Sequence, residues 1–275
     1  MRRRISATRA RADSRLPNGS SESMPPAIVK RKWRRRHAAD GVLRSRWNAA
    51  TVGLVTLDTH PPTAKRPRMR GKIHPWAAMG AAAAVIPLCV VAAGREGWRP
   101  LLGCVVYAVC LVGLFTISSL FHRITWNPVA YLRMKRLDHA MIFVFIAGCT
   151  TAFSLLLLDR STAANLLALV WGGALMGVAL KLVWPRAPRW LGFPLYVGLG
   201  CAALLVLPEL LDRGGAVTLG LLIAGGAIYV VGGACWAMRW PNPWPSTFGH
   251  HEIFHVAVVV AAAVHHVALY NAIYA

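Results

Sequence analysis

Two histidines four residues apart, His251 and His255 in the stretch FGHHEIFH, stand one turn apart on one face of a helix. That spacing lets both imidazoles reach a single divalent cation. A third imidazole from another helix would complete a three-ligand site whose fourth position stays open for water. His122, in TISSLFHR, is the candidate third ligand, and Ser118 lies four residues before it on the same face. Asp138, in RLDHAMIF, is the candidate carboxylate beside the metal. Zinc is the expected cofactor and hydrolysis the expected chemistry. In a hydrolytic reading the metal would polarise a carbonyl and acidify water, with Asp138 to accept the proton and Ser118 to help stabilise the oxyanion.

Plainer roles exist for each residue. A histidine at a span end can be an interfacial hydrogen-bonding group, Ser118 can bond the carbonyl four residues back, and Asp138 can cap a helix start. HEIFH also has the form of a soluble metalloprotease helix with Glu252 as base, but no soluble domain is apparent to hold a peptide. His74 reads as an interface residue and His250 as a neighbour of the site. His265 and His266 lie about 15 Å further along their helix, at ~1.5 Å per residue, too far to share the same ion.

The elements that must position these residues are membrane spans. The 275 residues are 56% hydrophobic and 15% charged, too apolar for an ordinary soluble domain. Seven apolar stretches of the ~20 residues needed to cross a bilayer follow residue 73: 74–93, 101–121, 138–157, 164–183, 191–207, 216–238 and 249–274. The expected fold is therefore all-α, a seven-helix transmembrane bundle over residues 74–275. Pro87, Pro194, Gly172, Gly173, Gly225 and Gly226 within the spans suit helices that pack closely in lipid. The six cysteines lie singly in apolar runs and read as small buried residues.

Charge sets the orientation. Residues 1–73 hold 19 of the 31 Lys and Arg, an arm expected to be disordered and to touch anionic lipid headgroups. Met24 and Met69 are candidate alternative starts. No secretory signal is recognisable. With the amino terminus in the cytoplasm, 27 of the 31 basic residues fall on the cytoplasmic side, and without the arm the ratio is still 8 to 4, as the positive-inside rule demands. The net charge of +21 is thus topology, and nucleic acid is excluded as a partner. Trp98, Trp126, Trp184, Trp190, Trp240 and Trp244 near span ends fit an interfacial belt. In this topology span two ends inside while spans three and seven begin inside, so His122, Asp138, His251 and His255 converge just under the cytoplasmic surface.

SSLFHR, RLDHAMIFVFIAG and FGHHEIFHVAVVVAAAVHH, in this order, resemble the hemolysin III branch of the progestin and adipoQ receptor superfamily, itself similar to alkaline ceramidases. The resemblance covers about residues 70–275 and leaves out the arm. It implies a seven-helix bundle with zinc near the cytoplasmic side, His122, His251 and His255 as ligands, Asp138 near the metal and Ser118 in support. Many bacterial relatives carry a Glu in the first span, and HPWAAMGAAAAVIP has none. The leading expectation is a zinc-dependent hydrolase of lipid amides or esters in the plasma membrane, with membrane lipids as partners and a lipid-like substrate. The alternatives are a pore-forming cytolysin and a receptor-like regulator with structural zinc.

Overall fold

The computed structural model describes residues 67–184 and 189–275, and of residues 189 and 190 the backbone alone. The expected disordered arm up to residue 66, both its headgroup contacts and the candidate start at Met24, lies outside the described residues. So do Arg186 and the side chains of Arg189 and Trp190, which entered the charge count and the aromatic belt.

Among the described residues every regular element is helical: α1 (Ile73–Ala93), α2 (Arg99–Arg123), α3 (Pro128–Leu157), α4 (Arg160–Val183), α5 (Arg189–Gly200), a 3-10 turn (Cys201–Val206), α6 (Leu207–Met238) and α7 (His250–Tyr274). Five of the expected spans correspond to single helices. The expected spans 191–207 and 216–238 fall within one 48-residue helical stretch, Leu191–Met238, so six stretches among the described residues are long and apolar enough to cross a membrane. That long stretch is not straight helix. The 3-10 turn interrupts it, and Gly215 stands at φ 73°, a conformation only glycine adopts without steric cost.

Helix α3 begins ten residues before the span expected from hydropathy, because local signals outweigh the basic residues Arg133, Lys135 and Arg136. Asn127 caps it through Oδ1, accepting from the Ala130 N–H at 2.9 Å, and Pro128 stands in the first turn, where its fixed φ suits the helix. Asp138 therefore lies in the third turn of α3 and is not its cap. At the other end Arg99 donates to the Leu158 carbonyl at 2.8 Å, just past the helix terminus, and at 3.3 Å to the Ser154 carbonyl, which also accepts the Leu158 N–H at 3.1 Å.

Helix α3 touches α2, α4, α5, α6 and α7 and so forms the middle of the bundle. Small residues allow these close approaches: Gly148 on α3 backs onto Cys110, Gly177 on α4 onto the Phe143 ring, and Gly232 on α6 onto Ala257 of α7. Outward-facing Ile86, Val109, Met176 and Val231 are more than half exposed, a surface suited to lipid, where helices satisfy their own backbone groups. Of the cysteines, Cys104, Cys110 and Cys149 are buried as expected, Cys89 and Cys235 are half-buried, and Cys201 is exposed.

Candidate metal centre

The start of α1, the end of α2 and the start of α7 meet at one end of the bundle, and the third turn of α3 joins them. Three imidazoles come together there. His122, His251 and His255 each present a ring nitrogen such that these atoms lie within 4.8 Å of one another. The Nε2 atoms of His122 and His251 are 3.4 Å apart, and the ring centroids are separated by 4.5 to 4.9 Å. His255 is buried, and its Nε2 has no hydrogen-bond partner among the described residues. A buried polar atom without a partner is costly. Three converging imidazoles, one with an unsatisfied nitrogen, are an arrangement able to hold a metal ion.

Ser118 and Asp138 line the same cavity as these histidines. Ser118 of α2 is buried and lies beside the Asp138 carboxyl of α3. The cavity, about 470 Å³, continues between α3, α5, α6 and α7 past Phe145, Val197, Tyr229 and Val258 as far as His265, and its walls are mostly apolar.

Glu252 is occupied elsewhere. Only 1% exposed, it accepts from Arg70 Nε through Oε1 at 2.5 Å and from the Gly249 N–H through Oε2 at 2.9 Å, the second bond capping α7. Both oxygens being engaged, a soluble-protease role for Glu252 finds no support. Arg70 belongs to a turn, residues 67–72, whose Arg68 and Met69 N–H groups also bond the carbonyls of Ser246 and Thr247 at 3.0 and 3.1 Å. This turn lies in the stretch that the sequence reading assigns to the arm.

One site residue was overlooked in the sequence. His74, read as an interface residue, is buried, with its Nε2 2.6 Å from His255 Nδ1. The same depth argument that gathers His122 and His251 includes His74 at the start of span one, so the signal was present. His265 and His266 stand apart from the cluster as expected: His265 Nε2 is 3.1 Å from the Leu222 carbonyl, and His266 Nδ1 3.5 Å from the Tyr107 hydroxyl.

These features define a class: an α-helical membrane protein with several apolar helices and a partly buried histidine cluster at one end of its bundle. In comparison with known proteins, the model of the haemolysin-III related family matches residues 63–266. The chain belongs to that family. It is 27% identical over 180 residues to the hemolysin-3 homolog of Bacillus subtilis, covering 66% of this chain and 81% of that protein. Hemolysin-3 of Bacillus cereus is 29% identical over 158 residues, 58% of this chain and 69% of its own length. The monocyte to macrophage differentiation factor of Homo sapiens is 25% identical over 174 residues, 62% and 69% respectively.

Proposed function

We propose that this protein is a zinc-dependent hydrolase that cleaves an amide or ester bond of a membrane lipid from within the bilayer. The observation that carries the reading is the convergence of His122, His251 and His255 with the neighbouring Ser118 and Asp138 at one end of a largely apolar cavity. An all-imidazole donor set with a buried, unsatisfied His255 Nε2 suits zinc and leaves a coordination position for substrate or water. Zinc, when bound, supplies Lewis-acid polarisation of the scissile carbonyl and a lowered pKa for water.

The chain's own residues do the rest. The Asp138 carboxylate accepts the proton as the nucleophile forms. Ser118, beside that carboxylate, lines the same space, where its hydroxyl can donate to a developing oxyanion. The apolar walls take the substrate's hydrocarbon and exclude water from the cleavage site.

In this reading the protein lies in the plasma membrane with its amino terminus in the cytoplasm. The Leu191–Met238 stretch crosses twice, breaking at the 3-10 turn and Gly215, which makes seven crossings. Its length of about 72 Å, at ~1.5 Å per residue, is more than twice the ~30 Å hydrocarbon core.

The test is release of fatty acid from a lipid amide or ester by purified, zinc-loaded protein. Activity is expected for the wild type and absent for His251→Ala; equal release by that variant would reject the proposal. Membrane permeabilisation is the second reading, favoured by the names of the Bacillus relatives. It predicts dye release from liposomes that persists in His251→Ala and without metal.

A further inference from the structure

His255 has to serve two neighbours at once. Its Nε2 is buried and unpartnered among the described residues, whereas its Nδ1 faces both nitrogens of His74, 2.6 Å from Nε2 and 3.2 Å from Nδ1. A neutral imidazole carries one N–H and one lone pair. When the Nε2 lone pair serves a cation, the proton resides on Nδ1, and the group facing Nδ1 has to be an acceptor.

His74 is built to be that acceptor. It is 4% exposed, so bulk water does not compete for its nitrogens. Its ring meets that of His255 at 3.9 Å between centroids with an interplanar angle of 73°, a T-shaped approach that brings His255 Nδ1 against the nitrogens of His74, nearest to Nε2. The Phe115 ring braces it from another side, 5.3 Å away at 62°. His74 comes from α1, while the three clustered imidazoles come from α2 and α7. The pair therefore ties the first helix to the last at the depth of the cluster.

We infer that His74 is a positioning residue of the metal centre: it accepts a hydrogen bond from His255 Nδ1–H, fixes that tautomer, and turns the Nε2 lone pair towards His122 and His251. This inference rests on the metal reading above. Partners of this kind orient a ligating imidazole and raise its basicity, and their loss costs about 10–100-fold in metal affinity.

The experiment measures zinc affinity by competition with a chromophoric chelator, using the full chain in detergent micelles. His74→Leu fills the volume but offers no acceptor; His74→Gln keeps an acceptor oxygen. The leucine variant is expected to bind zinc about 10–100-fold more weakly, and the glutamine variant to recover most of that loss, with unfolding midpoints recorded for both. Unchanged affinity in His74→Leu overturns the role. So does complete loss in both variants, equal to that of His122→Ala, which would make His74 a ligand. Should the leucine variant fail to fold, the glutamine variant still decides, because a folded His74→Gln that no longer binds zinc also overturns the role. A wild-type protein that binds no zinc rejects the metal reading and this inference together, whereas tight wild-type binding with an unaffected His74→Leu rejects only the inference.

Discussion

The two carboxylates near the histidines have opposite fates, and their partners explain why. Glu252 is held by Arg70 and by a backbone N–H, which commits it to the architecture of α7. Asp138 lies beside Ser118 and lines the cavity, where the proposed reaction would use it. Replacing Asp138 by Asn keeps the shape and removes the proton acceptor. We expect Asp138→Asn to retain zinc while kcat for fatty acid release falls by about 10²–10⁴-fold. Measuring metal content beside turnover checks this, and loss of both together would make Asp138 a ligand or a structural residue.

At the scale of elements, helix starts carry much of the order outside the apolar runs. Asp159 caps α4 with Oδ1 accepting from the Thr162 N–H at 2.9 Å and the Ser161 hydroxyl at 2.7 Å, while Oδ2 accepts from the Thr162 hydroxyl at 2.9 Å. The Thr162 N–H first, then the two hydroxyls, hold its carboxyl well below the ordinary value of 3.8. Because the folded value is depressed, the contribution of this cap is present above the ordinary carboxylate range and is lost as pH falls through the folded value. Asp159→Ala should lower the unfolding midpoint at pH 7, and its gap from wild type should narrow as the medium is acidified below about pH 4. A gap that stays constant with pH would mean that the carboxylate's charge contributes nothing. The Glu209 carboxylate, accepting from the Asp159 N–H at 2.8 Å, ties this same corner to α6.

For the whole molecule, the number of crossings decides where the two ends lie. An odd number puts them on opposite sides of the membrane, an even number on the same side. Seven crossings with a cytoplasmic amino terminus predict that a tag on that end is protected in intact cells, while a tag after Ala275 is reached from outside. Both tags on one side would mean that the Leu191–Met238 stretch crosses once or re-enters.

Hydropathy alone located the apolar helices, because ~20 apolar residues are what a bilayer requires and that property is written along the chain. The i, i+4 spacing of His251 and His255 put both on one helical face for an equally local reason. The start of α3 escaped because a cap and a proline outweigh charge there, and hydropathy is blind to caps. What the tertiary structure alone decided is which groups touch: that Glu252 is spent on Arg70, 182 positions away, that Ser118 meets Asp138, and that His74 faces His255 across 181 positions. Such pairings depend on how α1, α2, α3 and α7 pack around one another, and small residues scattered over several helices govern that packing rather than any contiguous motif.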